Sequence, residues 1–479
     1  MPVLRLNRAE LRERVYGCWL GKSIGGTLGG PFEGRRDILD VRGYTTPAGE
    51  PLPNDDLDLQ LVWLKAVQDR GARAIRAPLL GEYWLNYIPP HWNEYGVSKA
   101  NQRMGLAAPL SGMYRNDWKH SNGAWIRSEI WACLAPGCPD LAIRFAYEDA
   151  CVDHGGGEGT FAAMFTAALQ SAAFVVPDRD ELIRIGLSKI PPDCRVARSI
   201  RIALDGYAHD RPWRQVRDRV VADSTDLGWF QAPANVAFVV IGWLYGDGDF
   251  GRSICIATNC GDDTDCTAAT LGATLGIVSG RGGIPAEWAE PIGDRILTIA
   301  VDRGSFSPPA TLQALTDQVM QQAPLALGAF PCAVTITEDA TDLTDLPEIP
   351  LDAEPAARAL WERSPYATEH DLVHTRVVLD YLADPEARAG IPFGLRVTLA
   401  NQMPDPRALE LTWTLPEGWT VQPGPVQLVA LSHTTPVREV EVEITPAAMS
   451  QAVCRGVLQV VAQGRPTVGL IPLLFLNAG

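Results

Sequence analysis

Apolar residues up to about Leu327 follow the spacing of α-helices separated by turns that are rich in glycine and proline. Three clear segments, each with its terminating residue, are 55–70 with Gly71, 160–174 with Pro177, and 265–279 with Gly280. We therefore predict that residues 1–330 form a mainly α-helical domain.

The period of the pattern changes to two beyond Thr375. Leu395, Val397 and Leu399 alternate with polar or small neighbours, and the run 439–444 alternates glutamate with Val or Ile. Such half-buried strands, separated by Pro- and Gly-containing turns, are typical of a small antiparallel sandwich. We predict a β-sandwich accessory domain at 375–479, joined by an acidic, Pro-containing connector at 331–374.

Composition narrows the class of protein. The 479 residues are 46% hydrophobic and 20% charged, which suits two folded domains, and the net charge of −16 argues against binding to nucleic acid or an anionic membrane. We find no apolar core of a signal peptide and no apolar run of membrane-spanning length. The ten cysteines include no CxxC pair, which favours reduced thiols over a disulfide framework. The expected location is the cytoplasm.

The first candidate site is an acidic cluster at the start of an apolar helix. Asn54 is a natural N-cap, and Asp55 and Asp56 follow it in the first turn, where the helix dipole favours negative charge. Capping alone accounts for these residues. However, two carboxylates beside an amide oxygen also provide the oxygen ligands that a hard divalent cation requires.

The second acidic cluster lies about two hundred residues later in the chain. Asp262, Asp263 and Asp265 crowd one turn, and their mutual repulsion is poorly explained by capping. The helix that follows carries small residues at every fourth position, which allows another helix to approach closely. Metal binding is the favoured interpretation of this cluster.

Several ordered motifs resemble those of the ADP-ribosylglycohydrolase family. They are GCWLG at 17–21, GGPFE at 29–33, NDD at 54–56, NGAWIR at 122–127, DHGGG at 153–157, and the stretch 261–276. The resemblance covers the large domain and implies an all-helical fold with two Mg²⁺ or Mn²⁺ ions held by carboxylates in a central cleft.

The resemblance also implies roles for individual residues. Glu33 looks like the catalytic glutamate beside the metals, and the metal ligands are expected to be Asn54, Asp55, Asp56, Asp263, Asp265 and Cys266. Asn54 and Cys266 each stand where the family has threonine, and Gly26 stands where relatives have aspartate. Because a thiol is a soft ligand that suits Mg²⁺ poorly, Cys266 could instead only pack, and Thr267 could replace the missing hydroxyl.

A further set matches the family's substrate-lining segments. The predicted substrate-binding residues are Asn122, Gly123, Arg127, His154, Gly156 and Glu158. Glycines there let backbone N–H groups approach a phosphate or ribose. A simple turn at Asn122 and a purely structural role for His154 are the competing readings, and the aromatic stretch 83–95 is expected to pack in the core.

The resemblance, together with the acidic clusters, implies a metal-dependent hydrolase that cleaves a ribosyl-type N- or O-glycosidic bond in a small-molecule substrate. Glu33 would orient a water or take its proton as an oxocarbenium-like state develops. Two alternatives remain: a hydrolase of another small glycoside or nucleoside, and a non-catalytic relative that binds nucleotide or sugar. The oligomeric state is not predicted.

Overall fold

The computed structural model describes residues 2–302, 304 and 306–478. Contacts within the chain divide it into two compact units. The first unit, called here the helical unit, comprises Met1–Lys99 and Arg115–Glu362. The second, the β unit, comprises Ala100–Tyr114 and Arg363–Gly479. Among the described residues, no helix combines the length and apolarity that a membrane span needs.

Helices form most of the helical unit, and the 100–114 segment of the β unit is also partly helical. Their bounds are α1 Arg8–Gly29, α2 Asp55–Arg70, α3 Ala77–Tyr87, α4 Asn93–Met104, α5 Leu110–Met113, α6 Glu129–Leu134, α7 Pro139–His154, α8 Glu158–Ala172, α9 Arg179–Ser188, α10 Arg195–Ala208, α11 Trp213–Ser224, α12 Ala232–Tyr245, α13 Phe250–Asn259, α14 Thr264–Ser279, α15 Ala286–Ile292, α16 Leu312–Ala329 and α17 Pro355–Trp361. The predicted helical domain is confirmed, and α2 and α14 begin at the two acidic clusters.

Helices α1 and α14 meet backbone to backbone along their small residues. A Cβ atom added at Gly21 would lie 2.0 Å from the carbonyl oxygen of Gly272, and one at Gly25 would lie 2.2 Å from the carbonyl carbon of Ala268. No side chain fits between the helices at these positions. The close contact fixes α14, which carries Asp265, against α1, whose end leads to Glu33.

Replacing Gly21 by alanine is therefore expected to destabilise the protein by about 1–3 kcal/mol through overpacking. Gly282→Ala provides the control, because nothing lies within 4 Å of a Cβ atom at Gly282. The control should change the free energy of unfolding by less than about 0.5 kcal/mol. Urea denaturation compares the two variants, and equal stability of both would contradict the tight α1–α14 contact.

Strands occur at the start and end of the helical unit and throughout the β unit. Their bounds are β1 Leu4–Asn7, β2 Val334–Thr337, β3 Ala367–Asp371, β4 Thr375–Asp380, β5 Glu386–Ala387, β6 Phe393–Asn401, β7 Arg407–Thr414, β8 Thr420–Gln422, β9 Val426–Leu431, β10 Val437–Thr445, β11 Val453–Ala462 and β12 Val468–Asn477. In the β unit they form two five-stranded sheets, ordered β3-β4-β6-β10-β8 and β5-β12-β11-β7-β9. All neighbouring strands in these sheets are antiparallel except β5 and β12.

One apolar core contains buried residues of both sheets, such as Val397 and Leu411, together with Leu106, Leu110 and Tyr114 from the 100–114 segment. The predicted β-rich region after the helices is confirmed, whereas its description as a sandwich stays a prediction. The stretch predicted as a connector, 331–374, contains β2, which pairs in parallel with β1, and α17. The proposed boundaries at 330 and 374 stay predictions.

Candidate metal and substrate site

The carboxylates of both predicted clusters meet in one cavity of the helical unit. The cavity has a volume of about 690 Å³, within the range of small-molecule sites. Its acidic lining residues are Glu33, Asp55, Glu94, Asp263 and Asp265. Most of these side chains lie at the N-termini of α2 and α14 or in the segment after α1. Residues far apart in sequence therefore become neighbours.

Local structure explains how each acid reaches the cavity. The Asn54 side chain accepts a hydrogen bond from the Asp56 N–H at 2.8 Å and thereby caps α2, which places Asp55 and Asp56 in the first turn. Asp263 is the N-cap residue of α14, but its side chain makes no capping bond. Asn54 therefore caps its helix, as one interpretation of the sequence predicted. Asp263 does not cap α14 through its side chain, so its carboxylate is available for another role.

Two groups of side chains could each hold a cation. Glu33, Asp263 and Asp265 each offer an oxygen within 4.8 Å of the others, and Asp56, Asp265 and Cys266 form a second such group. Asp265 belongs to both groups. The arrangement brings together the aspartates that the sequence placed about two hundred residues apart.

The chemistry of the first group fits a divalent cation. Asp263 Oδ1 and Asp265 Oδ1 are buried and have no hydrogen-bond partner among the described residues, which is costly for a carboxylate. The Asp265 carboxylate, followed by burial, raises the pKa of Glu33 to about 7. Burial, followed by Asp265, raises the pKa of Asp55 to about 6 and that of Asp263 well above its usual value. A bound cation would relieve this repulsion.

The second group is occupied by hydrogen-bond donors from the protein. Lys22 Nζ lies 3.4 Å from Asp56 Oδ2, and Cys266 Sγ donates to Asp56 Oδ1 at 3.4 Å. The Asn54 amide nitrogen donates to Asp265 Oδ2 at 3.3 Å. Asn54 and Cys266, both predicted as metal ligands, thus present an N–H and an S–H group to the carboxylates. The hydroxyl of Thr267 donates to the Thr264 carbonyl oxygen, and its predicted replacement of the missing hydroxyl ligand stays a prediction.

Asn122 and Gly123, both predicted to bind substrate, line the cavity. Asn122 Nδ2 donates to Asp263 Oδ2 at 2.6 Å, and its Oδ1 accepts from Trp125 Nε1 at 2.9 Å. A Cβ atom at Gly123 would lie 2.1 Å from Glu94 Oε1, so a larger residue there would displace the Glu94 carboxyl group. Both residues therefore have a fixed place beside the acidic cluster.

The other four predicted substrate-binding residues, Arg127, His154, Gly156 and Glu158, are not among those that line the cavity. Arg127 is fully buried and pairs with Asp149 at 2.9 Å and Asp153 at 2.8 Å, and His154 is also fully buried.

Glu158 accepts hydrogen bonds from two backbone N–H groups at the start of α10, and Gly156 is exposed. The described contacts of Arg127, His154 and Glu158 are thus with the protein itself, and their predicted contact with substrate stays a prediction.

Sequence reasoning missed several residues of the site. Lys22 is the one charged residue in the otherwise apolar part of α1 at 15–29, and that position was the signal that could have revealed a buried charge. Trp92 and Tyr95 line the cavity although the aromatic stretch was expected to pack in the core, and Tyr95 Oη donates to Asp55 Oδ2 at 3.0 Å. Tyr95 is buried, so this residue both packs in the protein interior and lines the cavity.

Cation affinity is expected to rise with pH. Folding raises the pKa of Glu33 from its usual 4.5 to about 7. Protonation of Glu33 therefore stabilises the folded protein at pH values below 4.5, and this stabilisation is lost as the pH rises through about 7. A cation competes with that proton, and its affinity should increase up to about tenfold per pH unit for each proton released, between about pH 5 and pH 7. Calorimetry of the cation-free protein measures this dependence, and a pH-independent affinity would contradict it.

Two solved structures that match this chain do so with low TM-scores. A solved structure described as an ADP-ribosylglycohydrolase-related protein complex has a TM-score of 0.44 at 22% identity, over 67% of this chain and 98% of that chain. A second, Pseudomonas fluorescens alkylpurine DNA glycosylase AlkC bound to DNA containing an abasic site analog, has a TM-score of 0.15 at 11% identity, over 84% and 99% of the two chains.

Both TM-scores are low, so family membership rests on sequence. No curated protein matches this chain. The sequence model of the ADP-ribosylglycohydrolase family matches residues 7–326, which span the helices that build the cavity and all the acids that line it. The chain belongs to the ADP-ribosylglycohydrolase family.

Proposed function

We propose that this protein is a cation-dependent glycohydrolase that cleaves a ribosyl-type N- or O-glycosidic bond. Family membership supports a glycohydrolase-like function. The observation that carries the cation dependence is the pair of buried, unpartnered oxygens, Asp263 Oδ1 and Asp265 Oδ1, which lie beside Glu33 in a cavity of small-molecule size. Mg²⁺ or Mn²⁺ suits such a set of oxygen ligands.

Glu33, Asp55, Asp263 and Asp265 would hold the cation or face it. When bound, a divalent cation supplies positive charge for the sugar diol and lowers the pKa of a water molecule. Glu33 is the least buried of these acids, so it can also accept a proton from the attacking water. Our expectation of two ions follows from the family resemblance.

Asn122 and Gly123 would position the substrate next to these acids. The Asn122 amide is held between Asp263 and Trp125, so its orientation is fixed before a substrate arrives. Gly123 lines the same cavity, and the Glu94 carboxyl group lies where a side chain at Gly123 would be. A preorganised contact of this kind orients the anomeric carbon without a conformational cost.

Activity assays with Mg²⁺ and Mn²⁺ test the proposal. The substrates are ADP-ribosylated proteins, free nucleosides and aryl ribosides, each assayed with and without a chelator. We expect hydrolysis of at least one ribosyl compound, lost on chelation and recovered when the cation is restored. Binding of such a compound without turnover would instead support the non-catalytic alternative.

Substrate preference is expected to differ from that of family members that act on modified proteins. Asn54 and Cys266 offer N–H and S–H groups where threonine hydroxyls are the family pattern, which leaves more coordination to water or substrate. We predict weak release of ADP-ribose from modified serine or arginine and better turnover of a small ribofuranoside. Protein de-ADP-ribosylation with kcat/KM of roughly 10⁴ M⁻¹s⁻¹ or above would contradict this. The matched test is Asn54→Thr with Cys266→Thr, which should shift the preference.

A further inference from the structure

Glu94, in the first turn of α4, is an acid of the cavity that the cation site does not use. Its side chain lines the cavity, yet the residue is only 5% exposed. Within residues 2–302, 304 and 306–478, its Oε2 atom has no hydrogen-bond partner. Glu94 lines the cavity, and a buried carboxyl oxygen without a partner beside a substrate cavity indicates a group that acts on the ligand.

A chain of hydrogen-bonding groups lies next to Glu94. Ser121 also lines the cavity; its Oγ is 3.0 Å from His154 Nε2, and His154 Nδ1 is 2.8 Å from Asp153 Oδ1. Glu94, Asp153 and His154 each offer one atom within 4.8 Å of the others. Burial raises the pKa of Glu94 and outweighs the lowering by His154 and by the Ser121 hydroxyl.

This group of side chains is better suited to holding a proton than a second cation. Both ring nitrogens of His154 already have partners in Ser121 and Asp153. Both carboxylate oxygens of Asp153 accept from Arg127, at 2.8 and 3.0 Å. A cation would have to displace a buried guanidinium, whereas a proton on Glu94 requires no rearrangement.

Short connections link Glu94 to the acidic cluster. Asn122 donates to Asp263, and the next residue, Gly123, leaves room for Glu94 Oε1. On the α4 side, Tyr95 follows Glu94 and donates to Asp55. The short loop 121–123 therefore contacts both Glu94 and the acidic cluster, and both line the same cavity. Glycoside hydrolysis needs one carboxyl group for the water and a protonated one for the leaving group.

We propose that Glu94 is the general acid of the reaction. This inference rests on the proposed function. The bond between the anomeric carbon and the leaving atom breaks, its electron pair stays on the leaving atom, and that atom takes the proton of Glu94. Water adds to the anomeric carbon and gives its proton to Glu33. Glu33 then releases its proton to solvent and Glu94 takes one from solvent, so both carboxyl groups return to their starting state and the net change is hydrolysis. Ser121 and His154 are positioning residues for the Glu94 carboxyl group.

The test is Glu94→Gln in the full chain, with aryl ribosides whose leaving phenols differ in pKa. For the least acidic phenol we expect kcat/KM to fall by about 10²–10⁴-fold, the contribution of general acid catalysis. A dinitrophenyl riboside needs little protonation and should lose less than about tenfold. Cation affinity, measured by calorimetry, should remain unchanged, and Glu94→Asp should retain the wild-type dependence on leaving-group pKa even if Glu94→Gln does not fold.

A loss of equal size across the series, or no loss, would overturn the role of Glu94 while leaving the proposed function intact. A wild-type protein that hydrolyses no ribosyl compound with either cation would overturn both. In the Ser121→Ala variant, a smaller loss that again grows with the phenol pKa is expected. A uniform loss in that variant would contradict its positioning role.

Discussion

Asp263→Asn is expected to abolish measurable binding of Mg²⁺ and Mn²⁺ and to lower kcat/KM by at least about 10³-fold, more than the loss of a residue that only orients a ligand. The substitution keeps the shape of the side chain, including an oxygen for the Asn122 amide, and removes one negative charge. Because burial and Asp265 raise the pKa of Asp263, the cation-free variant should be at least as stable as the wild type. Loss of function without loss of stability is the signature of a ligand.

Asp262→Asn is the matched control. This neighbouring acid is half-buried, and its Oδ1 accepts a hydrogen bond from the Phe230 N–H at 3.0 Å, so its contacts are with the protein. Cation affinity should stay within about threefold of wild type in the control, with unchanged helix content by circular dichroism. Unchanged affinity in Asp263→Asn would refute its role as ligand, and equal loss in both variants would point to local unfolding.

The helical part of the fold could be predicted because its signals are local. The apolar period and Gly71 place a helix at 55–70, and the structure has α2 at Asp55–Arg70 with Gly71 as its C-cap. The second predicted segment, 265–279, matches α14 at Thr264–Ser279 within one residue. Capping and periodicity act over a few residues, so one sequence reveals them.

Contacts between distant residues could not be predicted in this way. Lys22 pairs with Asp56 and with Glu129 across separations of 34 and 107 residues, and no local pattern encodes such pairs. The segment 100–114 has no strand pattern, yet Leu106 and Leu110 belong to the core of the β unit.

Arg127 shows the same limit at a site residue. The motif NGAWIR suggested that all its polar residues face the substrate, but the structure places the guanidinium in the protein interior. Motif similarity identifies positions that matter for a site. Whether a side chain touches the ligand or supports another residue depends on packing, which the motif does not contain.

Arg127→Met is expected to lower the free energy of unfolding of the helical unit by about 3–5 kcal/mol, because it leaves buried carboxylates without a counter-ion. Arg127 is 0% exposed and pairs with both Asp149 and Asp153. Among the described ion pairs, the other basic partner of these two aspartates is His154, which contacts Asp153. Equilibrium urea unfolding followed by tryptophan fluorescence measures the change. Arg184→Met is the control, since that exposed arginine pairs with Glu181 and Asp352 at the surface and should cost less than about 1 kcal/mol.

A triple variant separates the buried charge from the lost packing. Adding Asp149→Asn and Asp153→Asn to Arg127→Met removes the unpaired charges, so at least half of the lost stability should return, because an uncompensated buried charge is the main cost of breaking such a pair. If the triple variant is no more stable than Arg127→Met alone, Arg127 stabilises the fold through its shape and hydrogen bonds and not through charge neutralisation. If Arg127→Met is as stable as Arg184→Met, the ion pairs of Arg127 with Asp149 and Asp153 do not stabilise the fold. Direct contact with substrate then becomes the better explanation of its place in the motif.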